Sequence, residues 1–583
     1  MELFGARSGR PIDTCLDEVR QSDIVVVIVG SKYGSLVPGE EISFSEAEYT
    51  EAQRLSLPCL VYLRSERNPN AQEFMEIDPA KEMRLRRWKE TLSERHTVYP
   101  FKDSNDLSLQ VAADLSREIR LLEKSAYPGT DQNVQHHGGR ARHSQPKLLF
   151  CQRFGDERRQ LLCGLAMDAD GSMIIVGGFW GRIDFGGSPL RSTGNNRDIF
   201  IAKFDCSGRH KWSKRVGDSE DQVAVGVQVD SRGDIIIASA FEGTLDFGGG
   251  PLVSRGRVNV ALAKLDSDGR HLWSHSFGEE GYYVPECLGV TSEGSAVIAG
   301  RFNGSLDFGC GSISCQSSQT DIFVATMSSD GKSIWARQFG GPYEQQARSI
   351  AVDRSGNMAV AGVFKGSISF DGSKLGEERL GEYCGFLTKL DRNGRAIWSK
   401  RLGDPSAEQG SVVAFDHANG DIVAAGFIRN KLPPHMSGQV DALCSLSRYD
   451  ASGILQWSKT FGTCVFPDSV SVSPEGSILL TGHFRSRVDF GLGSLASQGG
   501  CDIFAAIFSS DGTPRWSGRF GDAREQFLVQ GVHGPKGLVV LAGSFHGTID
   551  FGAGPLVASG YDGVTEGAED VFLAIFEARG HIL

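Results

Sequence analysis

Trp335-Ala-Arg-Gln-Phe-Gly340 is one copy of a phrase that recurs along the chain. The tryptophan that opens each copy returns at intervals of 61, 62, 63, 59 and 59 residues. The six copies begin at Trp212, Trp273, Trp335, Trp398, Trp457 and Trp516. One further copy comes before them, with Phe150 in the place of the tryptophan. Similarity at a fixed period of this length predicts a repeat architecture, here with seven units.

Each unit has the pattern of four short strands. In the fourth unit these are residues 350–353, 358–364, 367–370 and 385–390, the last continuing through a turn into residues 396–398. The segments are rich in β-branched and aromatic side chains, which favours strands. The turns between them contain Gly, Asn and Asp, which tolerate the positive φ of tight hairpins. These turns account for the 73 glycines of the chain, of which 65 lie after residue 147.

Four-stranded antiparallel units repeated around an axis form the blades of a β-propeller. A linear stack of strand pairs is the alternative. The last unit stops one residue short of the place of another tryptophan, and the first unit starts at the strand that contains Phe150. If the two ends share one blade, the ring closes without an exposed strand edge. We therefore predict an all-β propeller of seven blades over residues 148–583.

Two other phrases recur within the units. Asp-Phe-Gly begins at Asp184, Asp246, Asp307, Asp489 and Asp550, and it is replaced in the fourth unit by Ser369-Phe-Asp371. Asp-Ile-Phe or a close relative begins at Asp198, Asp321, Asp502 and Asp570. With these phrases the region resembles the seven-bladed propeller repeats of the SBBP type, which occur in many bacterial proteins. The resemblance implies the fold and says almost nothing about function.

The aspartates and cysteines of the repeats admit a metal as an alternative. Asp168-Ala-Asp-Gly171, Asp266-Ser-Asp-Gly269 and Asp391-Arg-Asn-Gly394 look briefly like calcium loops. A calcium loop of the EF type needs further oxygen ligands and a glutamate at its twelfth position. None is placed there, so the pattern favours turns over a divalent ion. Cys310 and Cys315 are close in sequence, but a zinc or disulfide role is the lesser alternative. We predict no metal site and no certain cofactor.

The repeated tryptophans and the fifth unit also leave two interpretations open. The tryptophans favour core or inter-blade packing over ligand stacking. The fifth unit has Arg429-Asn-Lys-Leu-Pro-Pro-His-Met436 where other units have Asp-Phe-Gly. An atypical blade can mark a partner site, although sequence drift is the simpler explanation. We expect a protein partner to bind through the propeller loops.

The first 124 residues have a different pattern. Residues 23–30 form a continuous apolar run, which predicts a strand buried on both faces of a parallel sheet. Residues 57–63 predict the next strand. Helices are predicted from Cys15 to Ser22, from Ser45, over residues 70–96 and over residues 105–124. Alternating strands and helices indicate a small α/β domain, with ligands expected at the carboxyl ends of the strands. Residues 125–147, which include His136-His137, predict a flexible linker.

This region resembles the TIR-like family called domain of unknown function 4062. The matching features are Ser22-Asp23 before the first strand, Gly30-Ser31-Lys-Tyr33-Gly34 after it, Ser45-x-x-Glu48-Tyr49, and the Pro58 strand. The resemblance implies a flavodoxin-like or TIR-like fold, with Gly30, Ser31, Tyr33 and Gly34 as cofactor-binding residues. In catalytic TIR domains a glutamate near the position of Glu48 serves NAD cleavage.

Glu48 has two interpretations. A carboxylate there could stabilise an oxocarbenium-like centre as nicotinamide leaves, as in glycoside chemistry. Alternatively, Glu48 completes a capping box with Ser45 as the N-cap. The family normally begins with a further strand before the segment that matches Met1-Glu-Leu-Phe-Gly5. We therefore expect either a start upstream of Met1 or an incomplete domain, and both expectations weaken the case for catalysis.

Composition excludes several classes of protein. The net charge is −12, with 60 Lys and Arg against 72 Asp and Glu, and this gives no case for nucleic-acid binding. No apolar run reaches the roughly 18 residues of a membrane span. The first residues do not resemble an export signal, so we expect a cytoplasmic protein with reduced thiols.

Three hypotheses about function follow. The first is a signalling or defence protein in which the propeller recognises a protein partner or cue and the TIR-like domain is the output or docking module. The second is an NAD-hydrolysing effector that uses Glu48 and is activated by self-association of TIR-like domains. The third is a scaffold without catalytic activity.

Overall fold

The computed structural model describes two parts of the chain. In the first part these are residues 16, 19–20, 24–30, 32–33, 35–39, 41–55, 57–64, 78–96 and 98–101. In the second part they are residues 145–578, except 280, 316–318, 378–382, 403–407, 430–441, 463 and 561–567. The chain divides into two compact units, Met1–Gly138 and Gly139–Leu583. The helix predicted over 105–124, the linker up to residue 144 and residues 430–436 of the fifth unit lie outside the described residues.

The second unit consists of seven four-stranded antiparallel sheets, which we call blades 1 to 7 in chain order. The innermost strands contact one another from blade to blade, around to the contact between blades 7 and 1. These inner strands are Gln160–Met167, Gln222–Val229, Tyr282–Val290, Gln345–Val352, Glu408–Asp416, Val465–Val472 and Gln526–His533. The second strands are Met173–Phe179, Ile235–Phe241, Ala296–Asn303, Met358–Lys365, Asp421–Arg429, Ile478–Phe484 and Leu538–Phe545. A single-turn 3₁₀ helix, Pro535–Gly537, precedes the last of these.

The two remaining strands of each blade lie toward the outside. The third strands are Asp198–Phe204, Asn259–Leu265, Asp321–Met327, Tyr383–Leu390, Ala442–Tyr449, Asp502–Phe508 and Asp570–Glu577. The outer strands of blades 1 to 6 are His210–Val216, His271–Phe277, Ser333–Phe339, Ala396–Leu402, Leu455–Phe461 and Pro514–Phe520. The structure therefore confirms an all-β propeller of seven blades.

Blade 7 is assembled from both ends of the repeat region. Its outer strand is Lys147–Phe154, which pairs antiparallel with Asp570–Glu577. The register places Cys151 opposite Ala574 and Phe154 opposite Val571. The predicted ring closure is confirmed, because the N-terminal strand of the array completes the blade that the C-terminal strands begin.

A small two-stranded hairpin follows the second strand in six blades of the described chain. Their strands are Arg182–Ile183 with Leu190–Arg191, Thr244–Leu245 with Leu252–Val253, Ser305–Asp307 with Ser312–Ser314, Ser367–Phe370 with Ser373–Gly376, Arg487–Asp489 with Ser494–Ala496, and Thr548–Asp550 with Pro555–Val557. The segment 367–370, predicted as a blade strand, belongs to such a hairpin, and the fourth strand of that blade is Ala396–Leu402. The prediction joined two strands because their connecting turn is short.

The Asp-Phe-Gly phrases build these hairpins. The aspartate caps its own turn: Asp246 accepts hydrogen bonds from the backbone N–H of Gly248 at 2.7 Å and of Gly250 at 3.1 Å. The phenylalanine is buried and packs between blades, since the Phe185 ring lies 5.1 Å from that of Phe154 in blade 7. The apparent calcium loops are turns of the same kind, and their aspartates accept N–H groups of their own loops.

The repeated tryptophans join neighbouring blades. The indole N–H of Trp212 in blade 1 donates to the carbonyl of Ser267 in blade 2, at 3.1 Å. Equivalent bonds run from Trp273 to Ser329, from Trp335 to Arg392, from Trp398 to Ala451 and from Trp457 to Ser510, at 3.0 to 3.3 Å. Since the apolar clusters also lie between adjacent sheets, the packing interpretation of the tryptophans is confirmed.

The first unit contains a three-stranded parallel sheet in the order β1 (Val25–Val29), β2 (Cys59–Arg64) and β3 (Val98–Phe101). Helix α1 (Phe44–Arg54) connects the first two strands, and helix α2 (Pro79–Arg95) precedes the third. Trp88 and Leu92 of α2 pack with the apolar face of the sheet. Burial of β1 on both faces was a wrong prediction: it is an edge strand of the described sheet, and Ile28 is 47% exposed.

Candidate functional site

The inner strands of the propeller contain β-bulges at similar positions. The pairing with the second strand shifts by one residue after the third residue of the register in blades 1, 2, 4 and 6, and after the fourth in blade 3. The extra residues are Cys163, Val225, Glu286, Arg348 and Asp468. A β-bulge of this kind redirects a side chain out of the regular alternation and recurs next to functional sites.

These five residues line a single cavity in the channel that the inner strands enclose. Its volume is about 230 Å³, and its other walls combine aliphatic side chains such as Leu288 and Val413 with polar ones such as Gln228 and Ser469. Three of the five bulge residues are charged, namely Glu286, Arg348 and Asp468. The bulges therefore place acidic and basic side chains on the wall of one cavity.

Glu286 is the most perturbed acid of this cavity. Its side chain is 17% exposed, and its Oε1 lies 3.5 Å from Nε of Arg301 on the neighbouring strand. Burial raises the pKa of Glu286 to about 7, although the guanidinium groups of Arg301 and Arg348 act in the opposite direction. Since Oε2 of Glu286 and Nε of Arg301 are buried without a hydrogen-bond partner in the described part of the protein, this pair retains unused capacity for polar contacts.

Asp468 lies on another side of the cavity and pairs with a histidine. Nδ1 of His483 is 3.1 Å from Oδ2 of Asp468. Burial disfavours the imidazolium, but the carboxylates of Asp468 and Glu525 outweigh this and raise the pKa of His483. The imidazole stacks on Phe466, with ring centroids 5.2 Å apart, and meets the edge of Phe527 at 6.0 Å. This side is a polar pair framed by aromatic rings.

A larger cavity of about 470 Å³ lies where the same inner strands end. Its acidic residues are already engaged in the fold. Oδ2 of Asp230 accepts from Nζ of Lys264 at 2.7 Å, and Asp353 accepts the backbone N–H groups of Ser355 and Asn357. These contacts stabilise turns, so the Glu286 cavity is the stronger candidate for binding.

In the first unit, the structure describes three of the five residues predicted from the family resemblance. Ser31 and Gly34 lie outside the described residues, and Gly30 directly follows β1. Tyr33 is buried, and its hydroxyl donates to the carboxylate of Glu46 in α1. Burial, the hydrogen bond and the negative charge of Glu46 raise the pKa of Tyr33 to about 12.

The capping prediction for α1 is wrong in register. The N-cap is Ser43, whose Oγ accepts from the backbone N–H of Glu46 at 3.2 Å. An antiparallel bridge between Leu36 and Ser43 holds the cap residue extended, and the helix begins two residues earlier than the sequence suggests. The acid at the third helical position is therefore Glu46 and not Glu48. The hydroxyl of Tyr33 is joined to Glu46, and Glu48 lies two residues further along the helix, where side chains point to a different face.

No group of three or more His, Cys, Asp or Glu side chains within the described ranges is arranged to hold a metal ion. Cys310 and Cys315 form no disulfide within the described residues, and the thiol of Cys315 donates to the carbonyl of Gln319 at 3.0 Å. Among the helices that the structure describes, none combines the length and the apolar character needed to cross a bilayer.

Sequence reasoning did not single out Glu286, Arg348 or Asp468. A signal was present, because a charged residue interrupts the apolar inner strand at the same repeat position in three units. That signal could not be interpreted from the sequence, because the alternation of side chains along a strand does not show which residue forms a bulge and faces the channel.

Residues 1–116 match the family model described as Domain of unknown function (DUF4062), which confirms that predicted resemblance. A stretch of 302 residues is 27% identical to the Regulatory protein FlaEY of Caulobacter vibrioides and covers 47% of this chain and 31% of that protein. A stretch of 127 residues is 28% identical to the uncharacterized WD repeat-containing protein L264 of Acanthamoeba polyphaga mimivirus and covers 21% of this chain and 9% of that protein. The chain thus spans less than a third of the length of these curated relatives.

Two solved structures are similar at low identity. The Dos1 propeller is 10% identical, with a TM-score of 0.37 and coverage of 74% of this chain and 95% of that one. An apocarotenoid oxygenase from Synechocystis is 11% identical, with a TM-score of 0.36 and coverage of 73% and 96%.

Proposed function

We propose that this chain is a regulatory or signalling protein in which the propeller recognises a protein partner or cue. The observation that carries the proposal is the Glu286 cavity, where three charged bulge residues converge in a closed ring. A propeller is rigid enough to hold such a group, and the loops at its ends are the natural place for a partner. The partial similarity to a bacterial regulatory protein supports the same role.

The N-terminal unit is the output or docking module in this proposal. Parallel strands joined by helices support a flavodoxin-like or TIR-like domain, and such a domain would also provide self-association. A cytoplasmic location and a role in antiviral defence fit the combination. The scaffold hypothesis differs only in that neither unit would respond to a cue.

The proposal is tested by mapping where a partner binds. The full chain is used as bait, the captured protein is identified and purified, and hydrogen exchange is compared with and without it. Protection is expected in the propeller loops and at the channel mouth. Protection confined to residues 1–101 would contradict the sensor role of the propeller.

NAD hydrolysis is a second candidate, favoured by the Tyr33–Glu46 pair after the carboxyl end of β1. A partly exposed carboxylate beside a buried phenol could position a ribose or stabilise positive charge at the departing nicotinamide. The test is nicotinamide release by the full chain, compared with Glu46→Gln and Glu48→Gln. Loss of release only in Glu48→Gln assigns catalysis to Glu48, and loss only in Glu46→Gln assigns it to Glu46. Absence of release from the unaltered chain argues for the binding role alone.

A further inference from the structure

Glu286 holds an unused acceptor in the channel cavity. Its Oε2 is buried without a hydrogen-bond partner among the residues that the structure describes, and Arg301 reaches only Oε1, at 3.5 Å. A buried carboxylate oxygen without a donor costs free energy of folding. Groups left in this condition are explained by strain, by an ordered water or by a ligand.

Arg348 offers the opposite charge on the same cavity wall. Its side chain is exposed within the channel. Its hydrogen bond to Oε1 of Gln346 is long, at 3.5 Å. Its positive charge opposes the rise that burial causes in the pKa of Glu286. The two side chains line one cavity, and each has capacity for a further partner.

The remaining walls restrict the size and polarity of that partner. Val225, Leu288 and Val413 line the same cavity. A volume of about 230 Å³ lies below the roughly 300–1,000 Å³ of pockets for larger ligands. The cavity suits a small molecule with an ammonium group, a carboxylate and a short apolar side chain.

We propose that the channel cavity binds an α-amino acid with an aliphatic side chain, whose ammonium group contacts Glu286 and whose carboxylate contacts Arg348. The side chain then packs on the aliphatic wall. This inference rests on the proposed sensor role, because it names the cue that the propeller would detect.

The proposal is tested by titration calorimetry of the full chain with L-leucine, L-valine and L-methionine. At least one is expected to bind saturably with one site per chain. Isopentylamine and 4-methylpentanoate, which lack the carboxylate and the ammonium group of leucine, are expected to bind at least about tenfold more weakly, as the loss of one charged contact predicts.

Two variants assign the contacts. Glu286→Gln and Arg348→Met are each expected to weaken amino-acid binding at least about tenfold. The matched control is Glu293→Gln, since Glu293 is 70% exposed and forms a surface pair with Arg392. Thermal melts establish that the variants fold, and Glu286→Gln in particular removes a buried carboxylate.

The proposal is wrong if none of the three amino acids binds, or if 4-methylpentanoate binds as tightly as leucine. It is equally wrong if Glu286→Gln folds and binds as the unaltered chain does. A partner footprint on the propeller without amino-acid binding would overturn this inference alone and leave the sensor role in place.

Discussion

At the scale of single residues, the propeller is defined by buried charges that recur from blade to blade. Asp198, Asp502 and Asp570 begin their strands at 0% exposure. Each accepts from an arginine of the adjacent outer strand, and Arg215 and Arg519 do so at 2.6 Å. Burial raises the pKa of each aspartate, and its arginine opposes that rise. The arginines of the Trp-led phrase are therefore structural partners of the Asp-Ile-Phe phrase.

Arg519→Met is expected to destabilise the protein by about 2–3 kcal/mol, because it leaves the buried carboxylate of Asp502 without its cation. The measurement is the thermal unfolding midpoint at neutral pH. Adding Asp502→Leu to Arg519→Met should recover most of the loss, since an apolar pair of similar size has no unpaired charge. Arg487→Met, at an exposed hairpin position, is the control. An equal loss in the control would show that the arginine matters for another reason.

Glu286 gives the opposite dependence on pH from an ordinary ion pair. Its folded pKa of about 7 lies above its unfolded value, so the folded state binds more protons between these two values. Its contribution to stability is therefore full at low pH and is lost as pH rises to about 7. The groups that face it are Arg301, Arg348 and Cys287.

Glu286→Gln is expected to be more stable than the unaltered protein at pH 8, by up to about 3 kcal/mol. The advantage should shrink toward pH 4. Comparing the two unfolding midpoints across this range cancels the titration of the other carboxylates. A difference that does not change with pH would contradict the raised pKa.

At the scale of elements, the turn before each outer strand both closes a hairpin and contacts the neighbouring blade. Gly269 follows the third strand of blade 2 with a φ of +81°, and a Cβ there would lie 3.1 Å from the Trp212 ring of blade 1. Glycines 331, 394, 453 and 512 meet the tryptophan of the preceding blade in the same way, and Gly208 meets Phe150. A glycine at this position closes the hairpin and admits the neighbouring ring.

Gly269→Ala is expected to cost about 1–2 kcal/mol for the positive φ and about 1–3 kcal/mol more for crowding the indole. Gly372→Ala separates these two effects, since Gly372 has a φ of +89° and open space where its Cβ would be. The unfolding midpoint should fall further for Gly269→Ala. Equal decreases would mean that the inter-blade contact contributes nothing.

At the scale of the whole molecule, the ring is closed by one strand from the start of the repeat region. Lys147–Phe154 is joined to the rest of blade 7 only through hydrogen bonds and side-chain contacts. The outer strands of the other blades follow the third strand of their own blade through a short turn, so the chain also joins them to that blade covalently. Closure of the ring therefore depends on noncovalent contacts, and the pairing at the edges of blades 7 and 1 depends on this closure.

The double substitution Cys151→Pro with Gln152→Pro is expected to open this blade. Alternate N–H groups of an edge strand point to its partner, so two consecutive prolines remove at least one ladder bond, worth about 1 kcal/mol. The control, Ser399→Pro with Lys400→Pro, disturbs the outer strand of blade 4, which stays joined by a turn to the third strand of its own blade. Hydrogen exchange should increase in blades 7 and 1 for the first variant and near blade 4 for the second. The same pattern of exchange in both variants would contradict a special role for the closing strand.

Much of the fold was predictable because the local sequence signals that specify it repeat along the chain. The seven repeated phrases, six of them opened by Trp, the turn residues between strands and the ends of the repeat region that share one blade were all present in the amino-acid order. In the first unit the strand–helix–strand succession was equally readable. The helix cap was misplaced, because Ser43 and Ser45 are both good caps and the bridge from Leu36 to Ser43 is a tertiary contact.

By itself the sequence determined the number of blades, the position of the turns and the strand that closes the ring, because these depend on spacing along the chain. Only the tertiary structure decided which side chains enter the channel. Glu286, Arg348 and Asp468 are far apart in sequence, and a bulge turns each of them inward. Their shared cavity exists because the ring brings blades 3, 4 and 6 around one axis.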